Sequence, residues 1–433
     1  MGLCEVPDWT WEEIMNLFLL LMTIVLGVIM VVGFLNEKVF HKTYEIVLLL
    51  ASILVGICLL AAVSIMKNSS AGEIMENIQL FNLEDILING ILCFMLFAGA
   101  YHLKLRQFKE QARPIGVLAF FCTLAGALIY GFLFFGISRL LRMSFTLPAC
   151  LMFGSIVAPT DPIAATSILK KFGLPEKTGF LMEGESLLND GVGVTLFVVF
   201  SGIMAAEKSG GFFAIMLREL LGALLVGVVV TCISFQLFKR LQDKKLQIIT
   251  SLFMISCSYV LCEKLECSGA TACVICGVCF SALRDREEKR GRFDLTEFDS
   301  FWEILDMLLN SVLYVILGIS FVRILQMPHV FILSLIAIIC SLVSRSGSLF
   351  AGTFLLGPIP DGFTRKSFVA LFTWGGLKGG LSVALAMSTR AMLPELNYHI
   401  LLGCVYAIVF FTTVVQGLTM KSVYLNIRKS ATE

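Results

Sequence analysis

The strongest chemical signal in the sequence is a proline-flanked motif inside an apolar stretch, Ala-Pro-Thr-Asp-Pro at 158–162. Pro159 and Pro162 each lack an N–H group, so the carbonyls of Ser155 and Ala158 lose their helical donors. Free carbonyls beside a threonine hydroxyl and a carboxylate are hard oxygen ligands that suit a small cation. A kinked helix, with its aspartate satisfied by a neighbour, is the alternative. The motif favours the cation site, because two prolines flank the only two polar side chains.

A second motif, Glu-Gly-Glu-Ser-Leu-Leu-Asn-Asp-Gly at 183–191, also lies in an apolar stretch. Ser186 and Asp190 are four residues apart and occupy neighbouring positions on a helix. The same holds for Glu185 and Asn189. Asp190 falls near the middle of its stretch, where an ionised carboxylate is costly, so we expect it to hold a proton unless a cation replaces it. A carboxylate for which a proton and a cation compete is what an ion exchanger requires. The alternative is a structural polar network between helices.

Two basic residues, Arg345 and Lys378, also lie in apolar stretches. A buried cation needs a carboxylate partner, and Glu185 is the predicted partner of Arg345. Lys378 lies within 375–380, where four glycines in six residues disfavour a continuous helix. Two helix-breaking segments in corresponding halves of a chain indicate a site between inverted repeats, near the middle of a bilayer.

The elements that position these motifs are apolar segments long enough to cross a membrane. Of the 433 residues, 58% are hydrophobic and 15% are charged, which is typical of membrane proteins and not of soluble domains. Each segment can cross about 30 Å of hydrocarbon as a helix. The thirteen predicted spans are 14–35, 43–65, 84–102, 115–138, 147–168, 180–203, 213–238, 246–263, 268–283, 301–323, 329–352, 367–388 and 398–420. The first is expected to be a retained span, because no cationic segment precedes it.

Loop charges predict the orientation of these spans, because Lys and Arg concentrate on the cytoplasmic side. Placing the N-terminus outside and the C-terminus inside puts most Lys and Arg residues in cytoplasmic loops, and every alternate loop agrees. We therefore expect an odd number of spans in the lipid of a plasma or inner membrane. The net charge of +1 shows no bias toward nucleic acid, and no nucleic acid partner is expected.

Other polar and thiol groups carry weaker signals. The cysteine run at 273–279 imitates a metal-cluster motif, but it lacks a fourth cysteine at cluster spacing, so helix packing is the favoured interpretation. The 14 cysteines lie mostly in apolar runs and are expected to be reduced. Glu303, Asp306 and Asn310 share one helix face, and the sequence leaves open whether they pack or line a path.

Four motifs together resemble the NhaP/NHE branch of cation/proton antiporters. They are the stretches 95–103, 159–162, 185–191 and 374–379. Their order and spacing agree over nearly the whole chain, and the combination is more specific than any single motif. The resemblance implies an all-α polytopic membrane protein with about 13 transmembrane helices, an NhaA-like fold of two inverted six-helix repeats with crossed unwound helices, and a homodimer.

The resemblance also divides the single membrane transport domain, 1–433, into functional parts. Scaffold and dimerisation helices would lie at about 14–102 and 246–323. Transport-core helices would lie at about 115–203 and 329–420, with a linking helix at 213–238.

Individual residues take their roles from the same resemblance. Asp190 matches the carrier of the proton and the cation. The cation site would be completed by Ser186, Thr160, Asp161 and Asn189. Glu185 and Arg345 match a structural ion pair. The supporting residues would be Lys378, Pro159, Pro162, Gly375 and Gly376, and no cofactor is implied beyond the transported Na⁺ or Li⁺ and H⁺.

Two positions depart from the family pattern. Ala98 stands where an acidic residue is frequent, and Lys378 stands where arginine is usual, although a lysine cannot reproduce a bidentate fork. The expected activity is electroneutral one-for-one exchange of internal Na⁺ or Li⁺ for external H⁺, by alternating access with an elevator-like movement of the core, and no enzymatic reaction. K⁺(Na⁺)/H⁺ exchange is the alternative within the family. An intramembrane aspartyl protease and a passive cation channel are remote alternatives.

Overall fold

The described part of the chain is built from α-helices, which confirms the predicted fold class. A computed structural model describes residues 11–41, 43–65, 91–101, 108, 110–161, 163–204, 212–288, 295–321 and 330–429. Its main helices are α1 (Trp11–Leu35), α2 (Tyr44–Ile65), α3 (Leu92–Tyr101), α4 (Ala112–Leu140), α5 (Leu147–Val157), α6 (Ile163–Lys170), α7 (Glu176–Met204), α8 (Phe212–Phe238), α9 (Lys244–Lys264), α10 (Gly269–Glu288), α11 (Thr296–Phe321), α12 (Val330–Leu356), α13 (Arg365–Trp374), α14 (Gly380–Met387) and α15 (Glu395–Lys429). Both α4 and α15 contain a π-helical turn.

Many of these helices have the length and composition of membrane spans. Among the described residues, eight helical segments are long and apolar enough to cross a membrane: Met22–Phe40, which begins in α1 and extends beyond it, and segments of α4, α7, α8, α9, α11, α12 and α15. Shorter apolar helices include α3 and α5. Each of the thirteen predicted spans overlaps a helix or a pair of short helices. The number of membrane crossings and the inverted repeats stay predictions.

The chain divides into two compact units, 1–83 with 311–326 and 84–310 with 327–433. In the first unit the backbone of Gly318 approaches Ser52 so closely that any larger residue there would clash. The hydroxyls of Tyr44 and Ser311 are also hydrogen-bonded in that unit, at 3.2 Å. The described residues of the site all belong to the second unit. The division into scaffold, linker and transport core stays a prediction.

Close packing of α4 on α5 fixes the first helix break. Gly154 lies against the carbonyl of Ala127, and a Cβ at this position would overlap that oxygen. Phe153 packs between aromatic rings of α4, with centroid distances of 4.9 Å to Tyr130 and 4.8 Å to Phe134. Because buried side chains interdigitate at near-crystalline density, the end of α5 has little freedom to move relative to α4.

Side-chain caps define where the broken helices begin. Thr146 accepts a hydrogen bond from the third residue of α5, and Thr364 accepts one from Ser367 at the start of α13. Such caps satisfy N–H groups that have no partner within the helix. The Asp361 carboxylate, just before α13, accepts hydrogen bonds from the backbone N–H (3.0 Å) and the hydroxyl (2.6 Å) of Thr178. The start of α7 is therefore tied to the segment that leads into α13.

An aromatic and charged cluster joins α3, α10 and α11. Tyr101 donates a hydrogen bond to Asp299, and the Arg284 guanidinium lies 3.1 Å from the same carboxylate and 4.9 Å from the centre of the Tyr101 ring. Phe280 and Trp302 are buried in the same cluster. The cluster holds α3 and α11 in place, and both helices border the cavity described below.

The cysteines of the run at 273–279 pack against neighbouring helices. Cys273 and Cys276 are fully buried, and the Cys276 thiol is hydrogen-bonded to Ser258 at 3.1 Å. Among the residues that the structure describes, no group of His, Cys, Asp and Glu side chains could hold a metal ion. These contacts support the packing interpretation of the run.

Candidate ion-binding site

Two interrupted helices meet at the site. Residues 158–161, which follow α5, and residues 375–379, between α13 and α14, are both non-helical, as predicted. The Asp161 N–H donates a hydrogen bond to the Leu377 carbonyl (2.8 Å), which joins the two segments directly. A Cβ at Gly379 would lie 3.0 Å from the Asp161 Cβ, so a larger residue would push the carboxylate out of position. Pro162 lies outside the described residues.

The Lys378 ammonium fills the break that follows α5. Lys378 is only 3% exposed, and its Nζ donates to the carbonyls of Ala158 (3.1 Å) and Pro159 (3.0 Å). Its backbone N–H donates to the Thr412 hydroxyl. The C-terminal end of a helix carries partial negative charge, which stabilises a cation placed there. The expectation that the Ala158 carbonyl is free for a transported cation is therefore wrong, because the lysine occupies it.

Asn189 and Ser186, both on α7, hold Thr160 in place. The Asn189 amide donates to the Thr160 hydroxyl (2.8 Å), and its oxygen accepts from the Thr160 N–H (3.3 Å). The Ser186 hydroxyl donates to the Thr160 carbonyl (2.5 Å). All three side chains are buried. Thr160 and Ser186 border the cavity, whereas Asn189 does not and acts on the site by positioning Thr160.

A cavity of about 400 Å³ lies beside the crossing of the two breaks, and the site residues on its wall are Pro159, Thr160, Asp161, Ser186 and Asp190. Within the described residues, no hydrogen bond or ion pair engages the Asp190 carboxylate, and the charges that act on it are those of Asp161 and Lys378. An ionised carboxylate without a bonded partner is costly inside a protein in a membrane. Asp190 can therefore bind either a proton or a cation from the cavity.

Three further polar residues border the same cavity: Asp306 and Asn310 on α11, and Ser382 on α14. The shared face of Asp306 and Asn310 is visible in the sequence, but the helix spacing does not show what that face meets. Ser382 carries no sequence signal, because serine is common in membrane helices. Ala98, the departure from the family pattern, is fully buried and does not border the cavity.

The predicted partners Glu185 and Arg345 lie together. Arg345 Nη1 is 2.6 Å from Glu185 Oε1, and the residues are 7% and 2% exposed, respectively. A Cβ at Gly376 would lie 3.0 Å from Arg345 Nε, so the glycine gives the guanidinium room. Gly375 similarly lies against Met182. The ion pair links α7 to α12 beside the second helix break.

Charged and more exposed residues also line the cavity. Lys170, at the end of α6, forms an ion pair with Glu183 at 2.6 Å, and both side chains are more than one third exposed. Glu176, at the start of α7, also borders the cavity. The loop charges predict that this end of α6 and α7 faces the cytoplasm.

Comparisons with known proteins agree over nearly the whole chain. The family model described as "Sodium/hydrogen exchanger, transmembrane" matches residues 28–425. The chain is 30% identical to the Na(+)/H(+) antiporter NhaG of Bacillus atrophaeus over 392 residues, which cover 88% of this chain and 70% of that protein. It is 27% identical to the Na(+)/H(+) antiporter NhaP of Pseudomonas aeruginosa over 364 residues, which cover 80% and 82% of the two chains.

A solved structure shows the same fold. The sodium proton antiporter MjNhaP1 from Methanocaldococcus jannaschii at pH 8 matches with a TM-score of 0.74 and 19% identity, covering 96% of this chain and all of that one. At this identity the likeness concerns the arrangement of helices alone.

Proposed function

Because the chain belongs to the sodium/hydrogen exchanger family, we propose that Asp190 carries the exchanged ion of a secondary antiporter that moves Na⁺ against H⁺. The chain is a multi-pass membrane transporter and not an enzyme. One observation carries the assignment to Asp190: its carboxylate borders a cavity at the crossing of two helix breaks and has no bonded protein partner among the described residues.

The exchange follows from the charge of this carboxylate. A proton on Asp190 neutralises it by a covalent O–H bond, and a monovalent cation neutralises it by coordination. The oxygens of Asp161, Thr160 and Ser186, which border the same cavity, can complete the cation's shell. The two loads compete for one charge, so binding one requires release of the other.

Exposed Lys170 and Glu176 line the cavity, at an end of α6 and α7 that the loop charges assign to the cytoplasm. Internal Na⁺ or Li⁺ would therefore bind from this cavity, and external H⁺ would bind after an elevator-like movement of the core exposes Asp190 to the other side. The N-terminus would lie outside and the C-terminus in the cytoplasm. A homodimer formed through the scaffold helices completes the proposal.

Two contacts support one-for-one stoichiometry. Asn189 has no titrating proton and is bound to Thr160 at both ends of its amide. The Lys378 side chain donates to two carbonyls of the helix break, so its nitrogen is engaged with the protein in the described state. Asp190 alone then exchanges its load, and the moving site carries the same charge in both directions.

Ion-driven proton flux in proteoliposomes tests the proposal. Purified protein is reconstituted with a pH-sensitive dye, and Na⁺, Li⁺ and K⁺ are added at several pH values. We expect Na⁺-driven flux in the parent protein and none in Asp190→Asn, because the amide neither releases a proton nor offers the charge that holds the cation. Sodium-driven flux in a folded Asp190→Asn protein would refute the assignment, and a preference for K⁺ would favour the K⁺(Na⁺)/H⁺ alternative.

A further inference from the structure

A second carboxylate faces the cavity from α11. The side-chain amide of Asn310 donates to Asp306 Oδ1 (3.0 Å) and to the Asp306 carbonyl (3.1 Å). These bonds fix the carboxylate one turn before Asn310. Within the described residues, Asp306 Oδ2 and Asn310 Oδ1 accept no hydrogen bond, and both residues border the cavity. Two oxygens of the kind that bind Na⁺ are thus held in a fixed arrangement.

The charge of Asp306 has no basic partner in the described part of the chain. The charge that acts on it is that of Asp161, which has the same sign. The two buried bases of the site are engaged elsewhere: Lys378 with carbonyls and Arg345 with Glu185. A carboxylate placed in this way is stabilised by a cation that enters the cavity.

An unsatisfied hydroxyl lies on the wall of the same cavity. Ser382 is 2% exposed, borders the cavity, and its Oγ has no hydrogen-bond partner among the described residues. A buried hydroxyl without a partner is costly, so such groups are normally satisfied by protein, water or a bound ion. Ser382 lies one turn after Gly379, which packs against Asp161. The hydroxyl therefore lines the same cavity as the Asp161 and Asp306 carboxylates.

From these contacts we propose that Asp306, Asn310 and Ser382 form an auxiliary binding subsite for a monovalent cation, which captures the ion before it passes to Asp190. The inference rests on the proposed function and adds to it a second place where the transported ion binds. Asp306 would raise the apparent sodium affinity of the cavity, whereas Asp190 remains the group that exchanges its load.

The test compares Asp306→Asn with a control on the same helix. Glu303→Gln removes the same charge from an exposed residue that does not border the cavity. In sodium-driven proton flux, Asp306→Asn should raise the half-saturating Na⁺ concentration about tenfold, as expected for the loss of one charged contact. The maximal rate should stay within about twofold of the parent's. Glu303→Gln should leave both values unchanged. An unchanged half-saturating concentration in Asp306→Asn, or loss of exchange at every Na⁺ concentration, would overturn the proposal.

Equilibrium binding of ²²Na⁺ to the purified protein separates this inference from the proposed function. Weaker binding by Asp306→Asn than by the parent supports the subsite even where no proton flux is found, and equal binding overturns it. If Asp306→Asn does not fold, Ser382→Ala replaces it in both measurements. This variant should weaken binding about threefold, as expected for one neutral hydroxyl ligand, and unchanged binding by folded Ser382→Ala would count against the subsite.

Discussion

At the scale of the residue, the polar groups at the helix crossing differ in how the protein satisfies them. Asn189 is bonded to Thr160, and Arg345 lies against Glu185. The Asp190 carboxylate borders the cavity with no such partner among the described residues. Because an uncompensated charge recruits an ion, this difference separates the proposed carrier from the residues that hold its surroundings.

Loss of the buried ion pair should damage folding more than ion binding. Glu185→Gln leaves Arg345 charged and without its partner. Breaking a buried ion pair in this way lowers the free energy of unfolding by ~3–5 kcal/mol. The double variant Glu185→Gln with Arg345→Gln should recover part of that stability, because no net charge stays buried. Thermal unfolding in detergent measures both effects. A single variant that melts like the parent would show that the pair contributes little.

Sodium and protons should compete for Asp190. As the pH falls, a larger fraction of the carboxylate is protonated, so the apparent Na⁺ affinity should weaken while the maximal exchange at saturating Na⁺ changes less. Sodium titrations of proton flux at a series of pH values measure this dependence. An apparent affinity that stays constant through the pH range in which activity changes would mean that the two ions do not share one site.

At the scale of the element, each helix break needs donors for the carbonyls that it exposes. Lys378, from the break between α13 and α14, supplies them to Ala158 and Pro159 in the break after α5. The hydrogen bond from Asp161 to Leu377 adds a backbone link between the same two segments. Non-helical backbone at membrane depth is tolerated only where the protein satisfies it in this way. The two breaks therefore stabilise each other.

Replacement of Lys378 should reveal this dependence. Lys378→Met leaves two buried carbonyls without a donor, at a cost of about 1–3 kcal/mol each, and should lower the melting temperature and the exchange rate together. Lys378→Arg retains a charged donor and should keep most of the stability. Lys366→Met, at an exposed position of α13, is the matched control. If Lys378→Met melts like Lys366→Met, the lysine does not stabilise the breaks.

At the scale of the whole molecule, the described site residues belong to the unit formed by 84–310 and 327–433. Within that unit, Asp361 ties α7 to the segment before α13, and the Glu185–Arg345 pair ties α7 to α12. These contacts join the two predicted halves of the transport core around Asp190. A core linked in this way could move as one body, as the proposed elevator-like cycle requires.

Such a cycle should be indifferent to membrane potential. If Asp190 carries one proton in one direction and one monovalent cation in the other, no net charge crosses the membrane. If the cycle moved net charge, a potential of 100 mV would change its free energy by ~2.3 kcal/mol for each charge moved. Antiport into proteoliposomes, with potassium and valinomycin setting the potential, measures this effect. A rate or ion-gradient endpoint that follows the potential would reject one-for-one exchange and implicate Lys378 as a second proton carrier.

The sequence by itself determined the class of the protein and the location of its unusual segments. Apolar length predicts membrane helices, and prolines or clustered glycines predict breaks, because both depend on local chemistry. The ion pair of Glu185 with Arg345 could be predicted for a similar reason, because a buried charge needs a partner of opposite sign. Family motifs supplied the role expected of Asp190.

The tertiary structure alone decided which oxygens remain available for an ion. Lys378 reaches carbonyls more than 200 residues away along the chain, and no spacing rule predicts such a contact. The packing of α11 near Asp161 and Asp190 likewise brings Asp306 to the cavity, while Ala98 on α3 is buried away from it. Helical periodicity predicts which residues lie on the same face of a helix, but only the packing of helices determines what that face contacts.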